Sequence, residues 1–194
     1  MGVSKYKLYY KDAYYHIYNR GNAKEDIFID EMDYRVYLKR LELYKDRHNV
    51  TILCYCLMPN HIHLLIKQNT EKPIYKFIQS LHTSYSMYFN KKCNKVGHIF
   101  QGRFMQKNII HDEYLLHLSR YIHLNPVLAG IVNRAEDYNW SSYSEYINNT
   151  SSKICEKDLI LSFFSGQRES AYKKFVESLK PDFSNIQNLI LEED

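Results

Sequence analysis

The stretch TILCYCLMPNHIHLLIK, residues 51–67, constrains the fold more than any other part of the chain. Residues 51–58 are an apolar run of strand length, rich in β-formers, and residues 61–67 are another. Only Pro59-Asn60, a turn pair, lies between them. Strands joined so closely run antiparallel, because a parallel pair needs a crossover of about a dozen residues or more. The architecture is therefore built around an antiparallel hairpin.

The flanking segments extend that start. Residues 13–20 (AYYHIYNR) read as a first strand ending at the turn Arg20-Gly21-Asn22. Asp30-Glu31 open a helix to about Arg47, with Tyr34, Tyr37, Leu38, Leu41 and Tyr44 at helical spacing. Pro73 starts a second helix, where Ile74, Phe77, Ile78, Leu81, Tyr85, Tyr88 and Phe89 keep the three-four rhythm until 90–97. Residues 104–110 (FMQKNII) predict a fourth strand. Asp112-Glu113 begin a third helix with apolar face Leu115, Leu118 and Ile122, and Pro126 predicts its end near Leu124 or Asn125. The order β-α-β-β-α-β predicts an α+β fold: a ferredoxin-like or RRM-like antiparallel sheet with its helices on one face. The third helix and a helical C-terminal extension are additional. Residues 137–147 (DYNWSSYSEYI) are aromatic enough to pack back on the domain, and 148–152 read as a polar linker. The boundary falls between 1–147 and 148–194.

Composition narrows the setting. The chain of 194 residues is 45% hydrophobic, which excludes a disordered chain. No apolar run approaches the roughly 20 residues that span a bilayer. The tyrosine-rich opening, interrupted by charges, lacks the apolar centre of a signal peptide. Cys54, Cys56, Cys93 and Cys155 show no CxxC pairing, and a reduced cytoplasmic compartment is expected. The net charge of +4 hides an asymmetry: residues 1–135 carry 20 Lys and Arg against 11 Asp and Glu, and residues 136–194 carry 6 against 11. Between 67 and 107, Lys67, Lys72, Lys76, Lys91, Lys92, Lys95, Arg103 and Lys107 face one acid, Glu71. Such a block suits a polyanion or a solvated surface equally well.

On a strand His61 and His63 project to one face while Ile62 turns to the other. Two imidazoles so placed suit either a divalent ion or the polar side of an ordinary strand. On the third helix, RYIHLNPV at 120–127 puts Tyr121 and Asn125 one turn apart on one side, beside the apolar stripe. A tyrosine there could be a nucleophile and the amide a metal ligand; the plainer reading is a packing tyrosine and a helix-ending Asn. His16, His117 and His123 are further histidines near these segments. The expectation for them is structural, although His117 shares the Tyr121 face one turn earlier.

MPNHIHLLI followed by YIHLNPV resembles the HUH single-tyrosine transposases of bacterial insertion sequences, and is similar in particular to the branch called REP-associated tyrosine transposases. YHIYNRG, Ile27-Phe28, GHIFQGRF at 97–104 and DYNWSSYSEY at 137–146 follow in the family's order. The resemblance covers roughly residues 13–147. It implies a catalytic domain over 1–147 and a divalent metal, Mg²⁺ or Mn²⁺, on His61 and His63, with Asn125 as the polar residue of the metal shell. Tyr121 maps to the nucleophile. It also implies metal-dependent cleavage and strand transfer of single-stranded DNA at hairpins through a 5′-phosphotyrosine, in transposition or in domesticated repeat processing. Arg20, Lys91, Lys92, Lys95, Arg103 and Lys107 are then candidates for DNA contact. Insertion-sequence relatives form dimers that exchange the tyrosine helix, so a homodimer and a monomer are both compatible. Two other readings compete: a non-catalytic RRM-like nucleic-acid-binding module, whose stacking aromatics would lie on the central strands, and a metal-dependent nuclease that activates water.

Overall fold

A computed structural model describes residues 9–148, 154–178 and 184. Four strands, β1 (Tyr14–Arg20), β2 (Val50–Met58), β3 (His61–Gln68) and β4 (Met105–Ile109), form one sheet in the order β2-β3-β1-β4. Every neighbouring pair is antiparallel, which is the ferredoxin-like arrangement expected from the element order.

The period-two alternation of the strands sorts side chains into two layers. Tyr15 and Ile17 of β1 and Ile62, Leu64 and Ile66 of β3 enter a core closed by two helices, α1 (Glu31–His48) and α2 (Tyr75–Cys93). Asp30 caps α1 by accepting from the Asp33 amide, and the Asp33 side chain reaches back to the Asp30 amide. Asp33 is wholly buried yet well paired: it also accepts from Tyr88 Oη at 3.0 Å and Lys92 Nζ at 2.6 Å, tying α1 to α2.

The opposite face of the sheet is covered as well. α3 (Asp112–Leu128) lies across it, and Leu115, Leu118 and Ile122 are buried there as the helical spacing predicts. β2 reaches this layer through a bulge between Ile52 and Cys54. The extra residue lets Leu53 and Cys54 both enter the second core and leaves Cys56 and Met58 there too, opposite His63 and His61.

α3 does not end before Pro126, as the sequence suggested; it continues to Leu128. Proline cannot donate to the carbonyl one turn back, but the turn beyond it is closed by other bonds. The Ala129 amide donates to Asn125 O at 2.9 Å and the Ile131 amide to Pro126 O at 2.9 Å.

The aromatic segment after Gly130 does pack back. α4 (Tyr143–Ile147), α5 (Asp158–Leu161) and α6 (Arg168–Glu177) bury Tyr143, Tyr146, Ile160, Leu161 and Tyr172 against α3 and β2. All but the first residue of the expected 148–152 linker lies outside the described residues, as does the opening segment 1–8. Among the described residues no helix is long and apolar enough to cross a membrane.

Candidate active site

β3 sends His61 and His63 to the α3 side of the sheet, and α3 brings Tyr121 and Asn125 onto them. His61 Nε2 and Asn125 Oδ1 stand 3.1 Å apart. The His63 ring lies edge-on to Tyr121, with centroids 5.7 Å apart at 87°. The two histidine rings themselves are 5.0 Å apart and perpendicular. Residues separated by some sixty positions thus meet because β3 and α3 pack face to face.

The surrounding motif pieces explain how His61 is aimed. Gly21 N donates to Asn60 O at 2.6 Å, and the Ile27 and Phe28 amides both donate to Pro59 O, at 2.8 and 3.0 Å. The Arg20-Gly21 and Ile27-Phe28 segments therefore wrap the Pro-Asn turn. Gly21 is required there: a Cβ would stand 1.9 Å from the Glu25 carbonyl oxygen. Asn60 Nδ2 donates to Lys24 O at 3.3 Å, which orients the amide. Its Oδ1 then accepts from His61 Nδ1–H at 2.7 Å.

With its proton held on Nδ1, a neutral His61 presents the Nε2 lone pair to another acceptor, Asn125 Oδ1. A cation between them resolves that opposition; so does a doubly protonated ring or a rotated Asn125 amide. His63 points the same way. It is wholly buried, its Nδ1 is 3.0 Å from His16 Nε2, and its Nε2 has no hydrogen-bond partner. Burial, with the charges of His61 and His16 adding to it, pushes the His63 pKa well below the usual histidine range, so the ring is neutral at pH 7. Neutral imidazoles and an amide oxygen are suitable donors for a divalent ion. By donor chemistry, His61 Nε2, His63 Nε2 and Asn125 Oδ1 therefore suit the implied metal. Among the described residues no group of three or more His, Cys, Asp or Glu is placed to hold one, so the amide oxygen is needed to complete the set.

The remaining histidines separate. His123 faces away from the site, with Nδ1 2.7 Å from Tyr172 Oη and Nε2 2.9 Å from Ser142 Oγ; burial lowers its pKa to about 3. Tyr172 Oη in turn donates to Ser119 Oγ at 3.0 Å, and Arg120 donates to Ser178 O at 3.0 Å. These bonds brace the back of α3 against α4, α6 and Ser178. His117 packs edge-on to Phe175 of α6, at 5.8 Å, rather than toward the site.

The basic candidates also divide. Arg20 lies directly across the strands from His61, and its Nε donates to Gln101 Oε1 at 2.6 Å. Lys107 lies across from His16 and so faces the same layer. Lys91 and Arg103 are exposed. Lys92 is engaged by Asp30 and Asp33, and Lys95 by Glu25 at 3.0 Å. Sequence reading does not single out the contributions of Asn60 and Gln101, although they lie in the motif pieces MPNHIHLLI and GHIFQGRF, and it notes His16 with a structural expectation.

An RRM-like binding module needs an open sheet face for stacked bases. Here α3 and the C-terminal helices cover that face. A ferredoxin-like sheet with an HxH pair facing a helix-borne tyrosine is the arrangement of an HUH-type single-tyrosine transposase. The profile of the family described as "Transposase IS200 like" matches residues 9–125, and the chain belongs to that family. A Haemophilus influenzae protein provisionally described as a REP-associated tyrosine transposase is 31% identical over 98 residues, 45% of this chain. The chain spans 56% of the length of that curated relative. The solved structure of a REP-associated tyrosine transposase bound to a REP hairpin superposes with a TM-score of 0.62 at 18% identity. That match covers 82% of this chain and 93% of the other, and supports the fold.

Proposed function

We propose that the chain cleaves and rejoins single-stranded DNA beside a hairpin, with Tyr121 as nucleophile. The observation that carries this reading is the meeting of Tyr121 and Asn125 with His61 and His63 on one covered sheet face. The hairpin substrate is inferred from the solved relative that holds one.

His61, His63 and Asn125 would hold a divalent ion, Mg²⁺ or Mn²⁺. When bound, such an ion supplies Lewis acidity to a non-bridging phosphate oxygen and helps to orient the scissile phosphate. The chain's own residues do the rest. Tyr121 Oη attacks phosphorus, forming a P–O bond to the phenol while the bond to the 3′ oxygen breaks. The phenol gives up its proton on attack and the departing 3′ oxygen takes one up, leaving a 5′-phosphotyrosine and a free 3′-hydroxyl. Because one phosphoester replaces another, a second 3′-hydroxyl can reverse the step without ATP. α3, braced on its outer side by His123, Tyr172 and Arg120, fixes the phenol in place before the substrate arrives.

Arg20 and Lys107, on the site's own layer, and exposed Lys91 and Arg103 are the cations we assign to DNA, with Lys92 and Lys95 contributing only if their internal ion pairs open. Within this reading 1–147 is the catalytic domain and 148–194 an extension, of which Ile160, Leu161, Tyr172 and Val176 pack into the core beside α3. Tyr121 lies beside His63 of its own chain, which supports a monomeric site, and a homodimer stays compatible with it. The setting is the cytoplasm, and the role is transposition or domesticated processing of repeats.

The test uses labelled single-stranded DNA carrying an imperfect hairpin from the gene's flanks, with Mg²⁺ or Mn²⁺, run on a denaturing gel. A metal-dependent protein–DNA adduct absent in Tyr121→Phe supports the reading. Cleavage that survives the substitution without an adduct would replace it with a hydrolytic nuclease.

A further inference from the structure

We propose that His16, on the neighbouring strand, is a positioning residue that sets the tautomer of His63 and so makes its Nε2 available to a cation. The proposal rests on the metal reading given above. His16 and His63 are both wholly buried, with Nε2 of the first 3.0 Å from Nδ1 of the second. Their rings are near-parallel, at 15° and 5.2 Å between centroids. His16 turns its own Nε2 to the neighbouring ring and is therefore no third ligand.

Only one proton can occupy the line between the two nitrogens. If it belongs to His16, the neutral His63 must carry its proton on Nε2, as a buried N–H with no acceptor. If it belongs to His63, the ring donates from Nδ1 to His16 and leaves a lone pair on the buried Nε2. A buried donor without a partner is costly, whereas a lone pair is what an ion requires. The second arrangement is thus favoured, and a bound ion would fix it further. Asn60 does the same for His61, accepting from Nδ1 at 2.7 Å. Each ring then has its own orienting acceptor, one on the hairpin turn and one on β1, and in each ring Nε2 is the nitrogen kept for an ion.

The experiment reads binding and tautomer rather than catalysis. Full-length protein is titrated with Mn²⁺ and free ion is followed by electron paramagnetic resonance, for wild type, His16→Leu and His16→Gln. Leucine keeps apolar volume but removes the acceptor; the glutamine oxygen can take the place of Nε2. Loss of an orienting partner typically costs about 10- to 100-fold in metal affinity, so His16→Leu should weaken Mn²⁺ binding on that scale and His16→Gln should restore most of it. In parallel, ¹⁵N-histidine correlation spectra of metal-free wild type should show His63 protonated on Nδ1, a reading that needs no variant to fold. His63 protonated on Nε2, or Mn²⁺ binding indifferent to His16→Leu, would overturn the proposal alone. A wild type that binds no Mn²⁺ would overturn the metal reading and the proposal with it.

Discussion

Acid should destabilise this protein through histidines that fold neutral, and His82 allows that effect to be isolated. His82 lies on α2 in the first core, stacked on Phe100 at 4.2 Å and 16°, with Nε2 lacking a hydrogen-bond partner. Burial lowers its pKa from 6.5 to about 3. Between those values the unfolded chain takes up a proton that the folded chain refuses. The folded pKa of a base is depressed, so the unfolded state binds more protons and stability falls as pH drops below 6.5. At about 1.36 kcal/mol per pH unit, lowering the pH from 7.5 to 5.0 removes about 2 kcal/mol through this one ring. That is a sizeable share of a total stability of roughly 5–15 kcal/mol. His82→Phe keeps an aromatic ring over Phe100 and deletes the titration. Urea unfolding at pH 7.5 and 5.0 should show the wild type losing about 2 kcal/mol more than the variant. At pH 7.5 the variant should be as stable as wild type or slightly more so, because a buried unpartnered nitrogen is gone. Equal pH dependence in the two proteins would refute the assignment of a buried neutral His82.

Two further perturbations follow from the site's surroundings. Tyr172→Phe removes the hydroxyl shared by His123 and Ser119, and should cost about 2–4 kcal/mol in urea unfolding, since two buried partners lose their bond; a loss below about 0.5 kcal/mol would mean that the extension does not brace α3. Lys107→Ala should weaken hairpin binding and lower the magnitude of the salt-dependence slope by about one phosphate contact, measured by fluorescence anisotropy across salt concentrations. An unchanged slope would remove Lys107 from the DNA surface.

Much of the scaffold could be read from local chemistry. The hairpin of β2 and β3 followed from Pro59-Asn60 between two apolar runs, and the three long helices followed from spacing such as Leu115, Leu118 and Ile122. His61 and His63 fall on one face through the two-residue repeat of a strand alone. What stayed hidden depends on tertiary packing. Pro126 looked like a terminator, yet Ala129 and Ile131 close the turn beyond it. The bulge at Ile52/Cys54, which turns Cys56 and Met58 toward the histidines, has no local sequence mark. His16 and His63 are 47 positions apart, and only strand register brings their nitrogens together. The basic block 67–107 shows the opposite problem: Lys92 counts as a cation in sequence, but its ammonium is already engaged by Asp30 and Asp33.

In the proposed reaction one tyrosine among 19 becomes covalently joined to DNA. The most direct measurement is mass spectrometry of the adduct after trypsin and nuclease digestion. Cleavage after Arg120 and Arg134 releases the peptide 121–134, which begins at Tyr121 and contains no other tyrosine. A phosphodeoxynucleotide is expected on that peptide, and an unmodified peptide when metal is chelated. A nucleotide on any other peptide, or DNA cleaved with no peptide modified, would contradict that reaction.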